Sequence, residues 1–472
     1  MATIKIIDPV TRIEGHLGVE VTIDAGSVVD ARCTGTLFRG IETILTGRDP
    51  WDAVPITQRI CGVCPISHGL AASMALDNAG ARTPTANGRI LRNLLLGANY
   101  IQSHILHFYL LAALDYLHGP QTAPWLPAWD VDMRVPSSEA ILAHITLAIE
   151  ARRRAHEMGA IIGGRSPSSH AIISGGFTDT PTAAKISDFR AQLTWLTDFI
   201  QSTYIPDVQT VGGAYSDYFQ VGRGYGNLLA YGVFEQDQDG NDKLLKMGYA
   251  DNGQAGPSQD VAISDITESV TYSWYNDSTN NLAPSSGQTL PVNPKGNAYS
   301  WLKAPRYQGK PCEAGPLARM WVNGDYQQGI SVMDRHVARA LETLKVAQAM
   351  SDWLNQIQVG QPVYDNKAMP VSGEGMGLTE APRGALGHWV KISGAKISQY
   401  QIITPTCWNA SPRDTAGQLG PIEKALVGTP VRDETKPIEV LRVIHSFDPC
   451  LSCAVHVMRP GKEPLTLRTR LG

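Results

Sequence analysis

Two pairs of cysteines carry the clearest chemical signal in this sequence. Cys61 and Cys64 form one C-x-x-C pair, and Cys450 and Cys453 form another. Thiolates are soft ligands that favour zinc, iron-sulfur clusters, copper(I) or nickel over magnesium and calcium. Pro65 suits the first position of a helix, which places Cys64 at the helix cap, where the helix dipole favours a thiolate. We therefore predict that the four cysteines form one buried metal site.

The wide spacing of the two pairs argues against a small zinc module. A zinc ribbon holds its two pairs roughly 15 to 20 residues apart, whereas most of this chain separates Cys64 from Cys450. The metal site would instead join the two ends of the chain. From the cysteines alone, three interpretations stay open: a structural zinc site, a dithiol redox centre and a catalytic metal.

The composition is typical of a globular protein with a sizeable core. The chain has 472 residues, of which 43% are hydrophobic and 18% charged, and its formal net charge is −4. This balance gives no basic surface for nucleic acid, so we expect no nucleic-acid partner. No segment resembles a linker, and we predict one domain over residues 1–472. The N-terminal residues lack the pattern of a signal peptide, so we expect no export signal on this chain.

The periodicity of apolar residues predicts the elements that position these cysteines. Alternation over residues 3–37 predicts a small β-meander with a turn at residues 25–26. Three-and-four spacing predicts four long helices, at residues 90–117, 139–162, 183–204 and 330–357. Residues 220–310 are rich in Gly, Asn, Asp, Ser and Tyr and predict a peripheral region of strands and loops. The predicted fold class is α+β, mainly α, with a large helical-bundle core.

Both cysteine motifs, in their contexts, resemble those of the large subunit of nickel-iron hydrogenases. The first is R-x-C-x-x-C-x-x-x-H at residues 59–68, and the second is D-P-C-x-x-C-x-x-H at residues 448–456. The resemblance covers essentially the whole chain through segments at residues 12–16, 38–42, 104–109, 314–319, 380–384 and 405–409. The pattern is also similar to the selenium-containing branch, although residue 450 is a cysteine. The resemblance implies the family's fold and its hydrogenase activity.

The resemblance implies that the cysteines hold a nickel-iron centre. Cys61 and Cys450 would be terminal ligands of nickel. Cys64 and Cys453 would bridge nickel to an iron that carries cyanide and carbon monoxide. His68, one helical turn after Cys64, would donate a hydrogen bond to a thiolate sulfur.

A pocket for the diatomic ligands is implied as well. It would include Pro382, Arg383 and the Thr406 hydroxyl, because buried cyanide nitrogens require hydrogen-bond donors and a nearby cation. Two positions depart from the family pattern. Ser103 stands where many relatives have an aspartate, and Cys407 replaces a more usual threonine.

Two further sites follow from the resemblance. Glu14 matches a glutamate that passes protons to and from the terminal thiolate, a role that suits a buried carboxyl with a raised pKa. Glu42, the backbone carbonyl of Ile402 and His456 match a magnesium site, and oxygen ligands suit such a hard cation. From the residues alone, Glu14 would more often be a partner of Arg12 or His16 in an N-terminal strand, and a lone histidine such as His456 is more often a hydrogen-bonded core residue.

The implied reaction is reversible heterolytic oxidation of H2 to protons and electrons, with Glu14, Cys450 and Arg383 as catalytic residues. The electrons would pass to an iron-sulfur small subunit, because this chain has no further cysteine cluster. Co-export with that partner, which could also supply a membrane anchor, implies a periplasmic or membrane-associated location, with the cytoplasm as the alternative. The resemblance also implies nickel-insertion machinery and a maturation protease that removes residues 457–472.

Three other functions are weighed against this one. A regulatory hydrogenase that senses H2 would have the same ligands but a different partner. The quinone-site subunit of respiratory complex I shares the fold and lacks these cysteines. A structural zinc protein would bind zinc without nickel.

Overall fold

The structure is a computed structural model, and it describes residues 2–118, 134–136 and 138–451. Cys453, His456 and the segment 457–472 therefore lie outside the described residues. Within the described part, strands and helices occur in separate runs along the chain, and an α+β fold that is mainly α is confirmed. The helices are α1 Ile41–Leu45, α2 Ala53–Thr57, α3 Pro65–Ala79, α4 Ala86–Leu106, α5 Ser138–Gly163, α6 Ala183–Phe199, α7 Ile205–Ala214, α8 Pro316–Val322, α9 Val332–Gln356, α10 Pro405–Asn409, α11 Pro421–Leu426 and α12 Ile438–Ser446. The strands are β1 Thr3–Ile7, β2 Leu17–Asp24, β3 Ser27–Gly35, β4 Ile172–Ile173, β5 Gly176–Phe177, β6 Leu228–Glu235, β7 Lys243–Ala250, β8 Ile266–Ser269, β9 Ala304–Tyr307, β10 Gly373–Ala381, β11 Gly384–Ser393 and β12 Lys396–Ile403.

The four helices predicted from periodicity form the core as α4, α5, α6 and α9, which pack against one another. α4 is buried along nearly its whole length, and its polar side chains are paired inside the protein. Arg92, for example, lies 2.9 Å from the carboxylate of Asp77. Within the part of the chain that the structure describes, none of the helices is both long enough and apolar enough to cross a membrane.

Two of the predicted helices change their winding before they end. α4 continues as a π-helical turn over His107–Ala112, and α6 continues as another over Ile200–Tyr204. Pro206, which follows the second turn, has no N–H to donate to the preceding turn, and this favours the local widening. Periodicity alone does not distinguish such a turn from α-helix.

The N-terminal meander is confirmed as the antiparallel sheet β1-β2-β3. Its predicted turn is formed by Ala25 and Gly26, whose φ angles are 48° and 75°. The chain then leaves this sheet for the loops and short helices that lead to the first cysteine pair.

A second meander, β10-β11-β12, was not predicted from the sequence. β10 lies directly on α3, and three alternate glycines, Gly373, Gly375 and Gly377, allow the close approach. A Cβ atom on Gly377 would lie 2.0 Å from the carbonyl oxygen of Ala71, so no larger residue fits there. This sheet matters for function because its first turn and its last strand both reach the cysteine cluster.

Candidate metal centre

Three of the four predicted cysteine ligands converge in the structure. The sulfur atoms of Cys61, Cys64 and Cys450 lie within 4.8 Å of one another, and all three residues are buried. The sulfurs of Cys61 and Cys450 are 3.3 Å apart. The structure therefore brings the two ends of the chain together at one cluster of soft donor atoms. Cys453 lies outside the described residues.

The first pair sits at the beginning of α3. Cys64 is the N-cap and Pro65 is the first helical residue, as predicted. The Cys61 sulfur accepts hydrogen bonds from the backbone N–H groups of Val63 at 3.3 Å and Cys64 at 3.2 Å. Two side-chain amides from α4 donate to the Val63 carbonyl and hold this loop in place. Backbone donors of this kind stabilise a thiolate over a thiol.

Cys450, the described member of the second pair, follows α12 and is held by two segments that are distant in the sequence. The N–H of Cys450 donates to the hydroxyl oxygen of Thr406 at 2.9 Å. The N–H of Leu451 donates to the carbonyl of Glu14 at 2.6 Å, which places the N-terminal loop beside Cys450. Because the Thr406 hydroxyl accepts from Cys450, its own proton stays free to donate elsewhere.

Arg383 lies in the turn between β10 and β11, and its side chain is buried beside the cluster. Its Nη1 donates to the hydroxyl of Ser103 at 3.4 Å, and its Nη2 lies 3.0 Å from a carboxylate oxygen of Asp448. The angle at this ion pair does not meet hydrogen-bond geometry. Within the described residues, Nε, Nη2 and both Asp448 oxygens are therefore without a hydrogen bond.

Neighbouring negative charges keep the guanidinium of Arg383 protonated. Burial lowers its pKa, but the negative charges of Asp448 and of the three cysteines outweigh this effect and hold the pKa well above its ordinary value. The result is a permanent buried cation with unused N–H groups. Buried donors of this kind require an acceptor, and an anionic cyanide would provide one.

His68 belongs to a buried chain of hydrogen-bonding groups. Its Nδ1 lies 3.2 Å from Nε2 of His388, whose Nδ1 lies 2.8 Å from the hydroxyl of Tyr400. Burial lowers the pKa of His68 to about 4, although the charge of Cys61 acts in the opposite direction. The ring is therefore neutral near pH 7. If His388 donates to Nδ1, the proton of His68 is on Nε2, which has no partner among the described residues and is free to donate to a sulfur.

Glu14 lies next to the loop of the first cysteine pair. One of its carboxylate oxygens is 3.4 Å from where a Cβ atom on Gly62 would be. The side chain is half-buried, so the burial expected from the sequence is only partial in this chain. Arg12, one basic neighbour with which Glu14 could have paired, instead forms an ion pair with Asp115.

The predicted magnesium ligands Glu42 and Ile402 also meet. The backbone N–H of Ile402 donates to Glu42 at 2.9 Å, and both residues line a cavity of about 50 Å³. Glu268 and Lys303 line the same cavity and form an ion pair at 3.3 Å. A cavity with two carboxylates has the oxygen donors that a hard cation requires. Cys407 borders it as well, so this part-buried thiol lies between the cavity and the apolar core.

Sequence analysis gave no role to three residues that the site uses. Asp448 is the first residue of the motif D-P-C-x-x-C-x-x-H. It could have been identified from the sequence, because a buried arginine such as Arg383 requires a negatively charged partner. His388 and Arg319 make contacts across long sequence separations. No local pattern in the sequence identifies them.

Comparison with known proteins agrees with this geometry. A family model described as nickel-dependent hydrogenase matches residues 39–123 and 120–456, and one described as HoxL-like matches residues 4–34. The chain is 45% identical to the periplasmic NiFeSe hydrogenase large subunit of Desulfomicrobium baculatum, over 96% of this chain and 94% of that protein. It is 33% identical to the uptake hydrogenase large subunit of Bradyrhizobium diazoefficiens, over 98% and 97% of the two chains.

The fold is also similar to that of a solved hydrogenase structure. The solved structure of the Ni-Fe-Se hydrogenase from D. vulgaris Hildenborough in the reduced state matches with a TM-score of 0.94 at 44% identity. The match covers 97% of this chain and 100% of that one. The chain therefore belongs to the nickel-dependent hydrogenase family and is one of its large subunits.

Proposed function

We propose that this chain is the catalytic subunit of an enzyme that oxidises H2 reversibly to protons and electrons at a nickel-iron centre. One observation carries the proposal. Three buried thiols from opposite ends of the chain converge within 4.8 Å, beside a buried arginine with unused N–H groups. A structural zinc site would have no use for that cation next to its thiolates.

The four cysteines would hold the centre asymmetrically. Cys61 and Cys450 are proposed as terminal ligands of nickel, and Cys64 and Cys453 as bridges between nickel and iron. When bound, the centre supplies the site at which H2 is split heterolytically and its two electrons are accepted. Because residue 450 is a cysteine, the terminal ligand at that position is proposed to be sulfur.

The pocket around the iron would bind two cyanide groups and one carbon monoxide. Arg383 and the hydroxyl of Thr406 supply donors, Pro382 forms part of the wall, and His68 donates to a thiolate. Two observations support this assignment: the bond from Cys450 does not use the hydroxyl proton of Thr406, and Nε and Nη2 of Arg383 make no hydrogen bond among the described residues. A fixed cation in a water-excluded pocket interacts strongly with anionic ligands.

Proton movement is proposed to begin at Cys450 and to leave through Glu14. The thiolate of Cys450 accepts the proton, and Glu14 carries it outward. The contact between the Leu451 N–H and the Glu14 carbonyl keeps the two segments together. The side chain of Glu14 is half-buried, and one of its carboxylate oxygens lies beside Gly62 of the cysteine loop, which suits a relay that exchanges protons with the exterior.

Glu42, the backbone carbonyl of Ile402 and His456 are proposed to bind Mg²⁺, with water completing its shell. The cavity bordered by Glu42 and Ile402 supports this site. Magnesium content in the purified enzyme, and its loss in a Glu42→Gln variant, would test the assignment.

The enzyme is proposed to work as a heterodimer with an iron-sulfur small subunit that accepts the electrons. A periplasmic location with that subunit, membrane anchoring through it, nickel-insertion machinery and removal of residues 457–472 by a maturation protease belong to the same proposal. Residues 1–472 are proposed to form one domain. A sensory role is the alternative, and relatives named uptake hydrogenases favour turnover.

Infrared spectroscopy of the purified heterodimer is the most direct test. We expect absorption bands from metal-bound cyanide and carbon monoxide, nickel and iron by elemental analysis, and rapid H2-dependent reduction of a dye. Zinc without nickel, and no such bands, would contradict the proposal. Normal bands with very slow dye reduction would favour the sensory role.

A further inference from the structure

Arg319, in α8, donates hydrogen bonds to the β10–β11 turn. Its side chain is fully buried, and all five of its N–H groups have acceptors. Nε and Nη2 bind the two carboxylate oxygens of Glu342 at 2.6 and 2.7 Å. Nη1 donates to Glu380 at 2.8 Å and to the Ala381 carbonyl at 3.0 Å, and Nη2 donates to the Pro382 carbonyl at 2.8 Å. A guanidinium has five donors in one rigid plane, so the hydrogen-bonding capacity of Arg319 is completely used.

Two of these five bonds end on the backbone directly before Arg383. On its other side, Gly384 has a φ of 137°, and a Cβ atom there would lie 2.7 Å from the backbone nitrogen of Gly315 at the start of α8. The turn is thus pressed against the same helix that carries Arg319. The backbone of Arg383 is fixed from both directions, which limits where its guanidinium can point.

A second set of contacts leads from Arg319 through Glu342 and α4 to the guanidinium of Arg383. Glu342, in α9, lies 2.8 Å from Nε2 of His104. Ser103, the preceding residue of α4, accepts the bond from Arg383 Nη1. Arg319 therefore connects three helices and the sheet at the point where Arg383 enters the site. All five of these side chains are buried.

The charges of the network suit its burial. Burial raises the pKa of Glu342, but Arg319 and His104 outweigh this effect and lower it to about 2. Burial raises the pKa of Glu380 to about 7, although Arg319 acts in the opposite direction. Glu342 is firmly ionised against Arg319, whereas Glu380 changes its charge near pH 7, so the three side chains together carry at most one net negative charge.

We infer that Arg319 is a positioning residue for Arg383. Its two bonds to the Ala381 and Pro382 carbonyls fix the turn, and its ion pairs with Glu342 and Glu380 fix Arg319 itself, so that the Arg383 guanidinium lies beside the cysteine cluster. The inference rests on the proposed function, in which Arg383 binds the cyanide groups of the iron. Lysine cannot replace Arg319, because its ammonium group has only three N–H donors around a point charge, so at least two of the five bonds would not be made.

Arg306, in β9, provides a matched control. It is also buried, and its five N–H groups bind Asp414, Ser411 and three backbone carbonyls. None of these groups belongs to the proposed metal site. An Arg306→Lys exchange therefore removes a similar buried network without touching the turn that carries Arg383.

The test compares Arg319→Lys and Arg306→Lys in the purified heterodimer through infrared bands, kcat, KM for H2 and Tm. For Arg319→Lys we expect shifted cyanide bands and a kcat about 10- to 100-fold lower, with a smaller change in KM. For Arg306→Lys we expect a comparable fall in Tm with bands and kcat as in the wild type. Absence of bands from the wild type would refute the proposed function itself.

Other results would refute the positioning role of Arg319 without affecting the proposed function. If Arg319→Lys lowers Tm but keeps the wild-type bands and kcat, or if Arg306→Lys shifts the bands equally, the inference is overturned. Should Arg319→Lys not fold, Glu342→Gln removes the charge that orients Arg319 while keeping the side-chain shape. This second variant should shift the same bands by a smaller amount, and unshifted bands would refute the inference.

Discussion

The guanidinium of Arg383 lies 3.0 Å from the carboxylate of Asp448, and each side chain is at most 2% exposed. Asp448 has a left-handed backbone, with a φ of 52°, two residues before Cys450. The pair therefore joins the β10–β11 turn to the segment that carries the second pair of cysteines. Breaking a buried pair leaves an uncompensated charge and is strongly destabilising, so each partner fixes the other's position.

Replacing Arg383 by lysine should impair turnover more than assembly. Lysine retains the positive charge but cannot contact Ser103, Asp448 and the proposed cyanide groups at once. We expect H2 oxidation to fall by about 10²- to 10³-fold, the usual cost of losing one preorganised donor in an active site. Dye reduction and elemental analysis on one preparation would check this. Wild-type turnover in this variant would remove Arg383 from the catalytic residues.

Cys450 and Cys407 should respond very differently to the same exchange. Cys450→Ser removes a proposed terminal ligand from the buried cluster, and we expect loss of nickel and of all H2 turnover. Cys407 lies at the neighbouring cavity, and burial raises the pKa of its thiol to about 11, so it is an unreactive thiol. Cys407→Ser should keep most of the activity. The reverse pattern would show that the site is misassigned.

Glu14→Gln should separate assembly from proton transfer. The amide has almost the shape of the carboxyl but cannot carry a proton, whereas the bond from Leu451 to the Glu14 backbone is unaffected. We expect wild-type infrared bands and metal content with H2 oxidation at least 10²-fold slower. Glu14→Asp, which keeps an acidic group, should be less impaired. Equal activity of the glutamine variant and the wild type would place the proton exit elsewhere.

Thr406 offers a prediction about stability and spectroscopy together. Thr406→Val leaves the buried N–H of Cys450 without its acceptor, which should lower the free energy of unfolding by about 1–3 kcal/mol. It also removes a proposed donor to cyanide, so the infrared bands should shift. Thr406→Ser keeps the hydroxyl and should preserve the bands. A valine variant with unchanged bands would exclude Thr406 from the pocket.

The parts of this protein that follow local rules were predictable from the sequence. The cap at Cys64 follows from Pro65, and the long helices follow from their periodicity. The sheet β10-β12 was missed because Gly373, Gly375 and Gly377 give its first strand the composition of a loop. Those glycines are required by the close approach to α3, which is a tertiary contact.

The candidate site shows the same division. Cys61, Cys64 and Cys450 were found from two short motifs, and the fold brings them together. The contacts of Arg319 with the β10–β11 turn span more than 60 residues, and no local spacing encodes them. A single sequence therefore does not reveal charged residues such as Arg319, which hold a site in place without binding its ligand.

Glu423 should make the stability of the enzyme depend on pH. This buried residue accepts hydrogen bonds from the N–H groups of Cys33 and Gly420, both at 2.9 Å, and from the hydroxyl of Tyr299 at 2.8 Å, and so joins β3 to α11. Burial raises its pKa from 4.5 to about 7, although the three donors act in the opposite direction. Between these values the folded chain keeps a proton that the unfolded chain releases.

The free energy of unfolding should therefore fall as pH rises, because the unfolded state binds fewer protons. The contribution is fully present below about pH 4.5 and is lost as the pH rises through about 7, with a total of roughly 3 kcal/mol. Glu423→Gln cannot titrate at this position, whereas the wild type loses stability as the pH rises. The Tm of Glu423→Gln minus the Tm of the wild type should therefore increase from about pH 5 to about pH 8. Glu139→Gln, at an exposed position, should show no such trend. A pH-independent Tm difference for Glu423→Gln would mean that this carboxyl is ionised throughout, with its three donors outweighing its burial.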